Sequence, residues 1–301
     1  HCPSVVTFIC ILKASGSVNG IDKGRQIHSM IVGTNFLEND VVLGNALVDM
    51  YVKCGVAAKA REVLEMLPVR DAISWNTLIS GYVQQAQSHE ALNSFKRMQY
   101  EDISPNVVTF LCILKACSII GDIDKGKQIH YEIVKRSLLE KNTVLVNALV
   151  DMYSKCGALE KAQELFEELH VRDVVSWTSL IAGFVENGNC EEALNYTEQM
   201  RHDNLSISSV AAIFCLKSCA VIRDIEKGRE MHDIVTQKGF LEREVSIGSA
   251  LIDMYFKCGF LIEAQVVFDK IPIQCTASWT SLITGLIEDG LNDEALKQFE
   301  G

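Results

Sequence analysis

Along most of the chain apolar residues recur every three or four positions, and the runs are punctuated by single glycines. In TVLVNALVDMYSKCGALEKAQELFEELHVRD (143–173), Val144, Leu145, Ala148, Leu149 and Met152 follow helical spacing. Cys156-Gly157 reads as a stop, because glycine accepts the left-handed conformation that ends a helix. A second amphipathic run follows through Leu159, Ala162, Leu165 and Phe166. Stretches such as VVTF and VVSW begin with β-branched residues, yet they continue at helical period for longer than strands do. All four prolines fall outside the predicted helix interiors. The pattern therefore predicts paired helices.

These pairs repeat. Cys54, Cys156 and Cys258 stand 102 residues apart, as do Trp75, Trp177 and Trp279, and as do His28, His130 and His232. Each block of 102 divides into a long, a short and a standard repeat of 36, 31 and 35 residues. The boundaries are 5–40, 41–71 and 72–106, then 107–142, 143–173 and 174–208, then 209–244, 245–275 and 276–301. The last repeat stops after 26 residues, which predicts a longer array with frayed ends here. A fixed period of this kind predicts an all-α solenoid of about nine helix-turn-helix repeats, one array over 5–301.

Charge narrows the function classes. The net charge of −11 argues against a protein that grips nucleic acid through phosphates alone, and leaves base-directed or protein-directed recognition open. Eleven dispersed cysteines read as reduced and mostly buried. The longest weakly charged stretch, 209–222, is interrupted by Lys217 and is too short to span a bilayer, so no membrane partner is expected.

Motifs that resemble chemistry dissolve into the repeat. GDIDKGKQIH (121–130) has a P-loop's Gly121, Gly126 and Lys127, but Gln128 stands where Ser or Thr belongs. Gly121 aligns with Asn19 and Arg223, so two of three copies lack the first glycine. Gly126 aligns with small residues in every repeat, as close helix packing requires. His130-Tyr131-Glu132 matches half of a zinc-deaminase signature, without the P-C-x-x-C that must follow. Cys112 with Cys117, and Cys215 with Cys219, fall in the apolar pattern without a second pair. Neither enzymatic activity, a metal nor another cofactor is expected.

The alternation of VVTFLCILKACSIIGDIDKGKQIHYEIV, NALVDMYSKCGALEKAQELFEEL and VVSWTSLIAGFVENGNCEEALNYTEQM resembles pentatricopeptide repeat proteins of the PLS subclass, from Val5 to Gly301. The resemblance implies a right-handed superhelix that binds single-stranded RNA at about one nucleotide per repeat. Its base-reading residues are position 5 and the last position of each repeat. Here these are Asn45 with Asp71, Asn76 with Asn106, Asn147 with Asp173, and Thr178 with Ser208; Ser249 is followed by Cys275, which departs from the code, and Thr280 has no partner. Long repeats carry Ile9, Leu111 and Ile213 at position 5, which cannot hydrogen-bond a base. The implied core is U-Y-x-U-R.

In the family, position 2 sandwiches bases between adjacent repeats. Here it is Val6, Val42, Ile73, Val108, Val144, Val175 and Val210, then Ser246 and Ala277. The same pattern equally fits an inter-helix core. Lys53, Lys155 and Lys257 at position 13 are phosphate-contact candidates, or exposed ion pairs with the aspartates four residues earlier. The subclass implies organelle C-to-U RNA editing, accessory editing-factor proteins docked through long repeats, and a mitochondrial or chloroplast location, although no transit-type segment occurs in the sequence. A helical scaffold holding a peptide in its groove is the alternative.

Overall fold

The computed structural model describes residues 3–34, 36–139, 142–169 and 171–300. These described residues form twenty α-helices and no strand, arranged as two compact bodies, 1–156 and 157–301.

The first body contains α1 (Val5–Ser17), α2 (Ile21–Val32), α3 (Phe36–Asn39), α4 (Val41–Lys53), α5 (Ala57–Met66), α6 (Ala72–Gln84), α7 (Ser88–Tyr100), α8 (Val107–Ile120), α9 (Ile123–Lys135) and α10 (Thr143–Lys155). The first helices of successive repeats form one layer, α1 on α4, α4 on α6, α6 on α8 and α8 on α10. Each second helix packs on its own first helix and on the next repeat's first helix, as α7 does between α6 and α8. The second body contains α11 (Leu159–Glu167), α12 (Val174–Glu186), α13 (Cys190–His202), α14 (Ser209–Ile222), α15 (Ile225–Gln237), α16 (Phe240–Arg243), α17 (Val245–Lys257), α18 (Leu261–Lys270), α19 (Thr276–Glu288) and α20 (Asn292–Glu300). It follows the same scheme, with α12, α14, α17 and α19 in one layer. Hairpins stacked in this way are an α-solenoid. The short helices α3 and α16, at the ends of long repeats, were not legible in the apolar pattern because four residues cannot show a period.

Position 15 of every repeat has a positive φ. Gly55, Gly121, Gly157, Gly188, Gly259 and Gly290 hold it without strain, while Asn19, Ala86 and Arg223 hold it at 53°, 57° and 58°. Gly121 is thus the left-handed C-cap of α8, and its supposed phosphate loop is the turn between two helices. The second glycine of that motif is a packing contact. A Cβ on Gly126 would lie 2.4 Å from Met152 Sδ, and Gly24 and Gly228 meet Met50 and Met254 at 2.3 and 2.5 Å. The methionine of each short repeat fills the space that the glycine of the preceding long repeat leaves open.

The histidines of the 102-residue period have a similar role. His28, His130 and His232 lie on second helices of long repeats, and their Nδ1 atoms stand 2.9, 2.9 and 2.7 Å from the hydroxyls of Tyr51, Tyr153 and Tyr255. Burial pushes the His28 and His232 imidazoles below their ordinary pKa, so the His28–Tyr51 and His232–Tyr255 pairs are neutral, hydrogen-bonded links between adjacent repeats. His130 is accordingly tied to Tyr153.

Candidate nucleic-acid interface

The last residue of a repeat is also the N-cap of the next first helix. Asp71, Asn106, Asp173 and Ser208 have extended backbones, and their side chains accept from the N–H three residues on, at Ser74, Thr109, Ser176 and Ala211. Asp71, Asn106 and Asp173 close reciprocal capping boxes with Ser74, Thr109 and Ser176. The caps hold these side chains at the N-terminal ends of first helices, at the repeat junctions.

Within the first body the structure brings position 5 and the last position together twice. Asn45 Nδ2 donates to Asp71 Oδ1 at 3.3 Å, and Asn76 Nδ2 donates to Asn106 Oδ1 at 3.1 Å. Each amide oxygen accepts from the hydroxyl of the capping box, Ser74 Oγ to Asn45 Oδ1 and Thr109 Oγ1 to Asn76 Oδ1, both at 2.6 Å. Partial burial works against the Asp71 charge. The N–H groups of Ser74 and Ile73 and the Asn45 amide outweigh it, holding the carboxyl below its ordinary value, with the Ser74 hydroxyl shared between this carboxylate at 2.8 Å and the Asn45 oxygen. Asn147 is buried on α10, and Asp173 caps α12 in the second body.

In the second body the pairing is weaker. Thr178 Oγ1 donates to the Val174 carbonyl at 2.6 Å and lies 3.4 Å from Ser208 Oγ. Ser249 Oγ is buried without an oxygen or nitrogen partner, beside the Cys275 thiol. The N–H of Ser278 holds that thiol below its ordinary pKa. Thr280 is exposed, and its hydroxyl donates to the Thr276 carbonyl at 2.7 Å.

The apolar residues at position 2 are on the surface. Val6, Val42, Ile73, Val108, Val144, Val175 and Val210 are 50–68% exposed, and Ser246 and Ala277 are also exposed. This excludes an inter-helix core at these positions. Ile9, Leu111 and Ile213 are half-buried. Ile73 and Val108, from adjacent repeats, line an open groove of about 410 Å³. Asn76 and Asn106 lie in this groove with Ser80 and Gln84, and Lys53 borders it. Lys53, Lys155 and Lys257 each pair with the aspartate one turn earlier, at 2.7, 2.6 and 2.9 Å. Any anion would compete with those carboxylates.

The hydroxyls of Ser74 and Thr109 were missed in the sequence. The Asp-Ala-Ile-Ser and Asn-Val-Val-Thr runs at the repeat junctions have the spacing of an N-cap and its third helical residue, and could have revealed them.

Stacked helical hairpins with an open groove that holds the Asn76–Asn106 pair beside exposed aliphatic side chains define a helical-repeat protein. Models described as "PPR repeat family" and "PPR repeat" match residues 70–118, and 144–174, 175–205, 249–272 and 277–300, respectively. The chain belongs to the pentatricopeptide repeat family. It is similar to the pentatricopeptide repeat-containing protein At4g18520, chloroplastic, of Arabidopsis thaliana, at 36% identity over 98% of this chain and 47% of that protein. A second relative from the same plant, At3g53360, mitochondrial, is 35% identical over 97% of this chain and 38% of its own length. The chain thus spans half or less of these curated relatives. Its fold matches the crystal structure of the pentatricopeptide repeat protein PPR10 in complex with an 18-nt psaJ RNA element, with TM-score 0.75 and 16% identity over 99% of this chain and 50% of that one. No described helix is long and apolar enough to cross a membrane.

Proposed function

We propose that the chain is an array of the PLS subclass that binds single-stranded RNA, each short or standard repeat reading one base. The observation that carries this reading is the groove between Ile73 and Val108 with the Asn76–Asn106 pair inside it. Aliphatic side chains on either side can cover the two faces of a flat base. The Asn76 amide, having given one N–H to Asn106 and taken one proton from Thr109, keeps one N–H and one lone pair for the base edge. The reader residues assign uridine to Asn45 with Asp71 and to Asn147 with Asp173, a pyrimidine to Asn76 with Asn106, and a purine to Thr178 with Ser208.

Recognition by stacking and base edges suits a chain of net charge −11. Three lysines already paired to aspartates supply few phosphate contacts, so a shallow salt dependence is expected, about −0.7 per phosphate neutralised. The alternating repeat lengths favour the specificity segment of an organelle C-to-U editing factor that binds without catalysing. Long repeats, with apolar position 5, are left to dock accessory proteins. The test is affinity for short RNAs that carry or lack U-Y-x-U-R. Equal affinities would refute base reading and favour a peptide-binding scaffold.

A further inference from the structure

Two residues at each reader leave one question open. An asparagine amide can present its oxygen or its nitrogen to a base, and a flip exchanges the two. In the first body the choice is made by a third residue.

At Asn76 the chain of hydrogen bonds starts from backbone groups, which cannot flip. The Thr109 N–H donates to Asn106 Oδ1 at 3.1 Å, which fixes that atom as the acceptor oxygen. The Asn106 N–H donates to Thr109 Oγ1, also at 3.1 Å, which occupies a lone pair of the hydroxyl. The single hydroxyl proton then has two oxygens in reach, Asn76 Oδ1 at 2.6 Å and Asn106 Oδ1 at 3.2 Å. The shorter contact takes it. Asn76 therefore turns its oxygen to Thr109 and its nitrogen to Asn106. A flipped amide would set its oxygen against Asn106 Oδ1, two acceptors with no proton between them. Ser74 is placed similarly, with its Oγ 2.6 Å from Asn45 Oδ1 and 2.8 Å from Asp71 Oδ1 and the Asp71 N–H donating to it at 3.2 Å, so here the two acceptors compete more closely for the hydroxyl proton.

We infer that the hydroxyl at position 3 of a repeat is a specificity-determining residue for the preceding repeat, because it sets which amide atoms face the base. This rests on the base-reading proposal above, and makes the readers at Asn45 and Asn76 three residues rather than two.

The distribution of residues agrees. Where position 5 is apolar (Ile9, Leu111, Ile213), the next repeat carries Leu43, Leu145 or Ile247 at position 3. Those three side chains are fully buried, as core residues. Where position 5 is Asn45 or Asn76, the next repeat supplies a buried hydroxyl. Thr178 is followed by Ala211, and its own hydroxyl turns back to the Val174 carbonyl. Ser278 follows Ser249, but Cys275 replaces the capping oxygen and the Ser278 hydroxyl donates to the Cys275 carbonyl instead, at 2.9 Å. The three-residue network therefore requires an oxygen-bearing cap as well as the hydroxyl.

The test uses the full chain and four RNAs that differ only at the nucleotide assigned to Asn76 and Asn106. Wild type should favour U and C. Thr109→Val, close in shape but without the hydroxyl, should reduce that preference by about fivefold to tenfold, the value of one oriented hydrogen bond. Preferences at the other nucleotides should be unchanged, and Thr109→Ser should restore the lost one. A merely structural role for Thr109 would weaken all four RNAs equally, and that result overturns the inference. Retained preference in Thr109→Val overturns it alone, whereas absent preference in wild type overturns base reading as well. If Thr109→Val fails to fold, Ser74→Ala decides, read at the nucleotide assigned to Asn45 and Asp71.

Discussion

Truncating the two aliphatic walls of the groove should weaken RNA binding without unfolding the protein. Ile73→Ala removes three carbons from a side chain that is 63% exposed in the free protein. At about 0.8 kcal/mol per buried CH₂, full burial of three carbons contributes roughly 2.4 kcal/mol. Only the exposed fraction remains for a base to cover, which leaves about 1.5 kcal/mol, or roughly twelvefold in Kd. Val108→Ala removes two carbons from a side chain 52% exposed. The same arithmetic gives about 0.8 kcal/mol and roughly fourfold. Stability should change by no more than about 0.5 kcal/mol, because alanine's higher helix propensity offsets part of the small decrease in buried apolar area. Fluorescence anisotropy with labelled RNA gives Kd, and urea unfolding followed by circular dichroism gives stability. Because the contact is to base faces, the weakening should be the same whichever base occupies that nucleotide. An unchanged Kd in the double variant refutes the clamp. A destabilisation beyond about 2 kcal/mol would instead return these side chains to the core.

Three further outcomes follow from the geometry. Ala86 is exposed at φ 57°, so Ala86→Gly relieves about 1–2 kcal/mol of left-handed strain against about 0.4–1 kcal/mol of added unfolded-state entropy. Hydrogen exchange in α6 and α7 should slow by a net of roughly 0.5–1 kcal/mol, and faster exchange would contradict the assigned turn. His28 and His232 titrate below their ordinary value because burial opposes the imidazolium, so the unfolded chain takes up protons first as pH falls. Their contribution to stability is full above about pH 6.5 and is lost as pH falls through the lowered folded values. NMR midpoints at or above about 6.5 would refute this. Iodoacetamide should modify Cys275 before Cys54 and Cys258, because the Ser278 N–H stabilises the Cys275 thiolate while burial pushes the other two thiols up. Peptide mass spectrometry at neutral pH reads the order, and simultaneous labelling would contradict it.

Much of the candidate site was named through the family resemblance. The repeat register located the family's positions 5 and last in this chain, and Asn45 with Asp71 and Asn76 with Asn106 meet across 26 and 30 residues of sequence. The lysines were ambiguous because an i,i+4 aspartate is both a partner and a competitor, and the structure shows the ion pairs formed. The His–Tyr links were hidden. Both residues recur every 102 positions, but periodicity alone does not say which members of two repeating sets face each other.

By itself the sequence determined the helical class, the hairpin period and the turn positions, because these depend on local backbone preference and on spacing along one helix. Glycine at position 15 carries its reason within a few residues of chain, whereas the small residues at position 20 show as a pattern whose cause, the methionine of the next repeat, is tertiary. The tertiary structure alone decided that Ile73 and Val108 are surface rather than core. It also decided that Thr109 and Ser74 orient the amides of the repeat before them. Solvent exposure and hydrogen-bond direction depend on what the neighbouring repeat places against a side chain, and that neighbour is some thirty residues away.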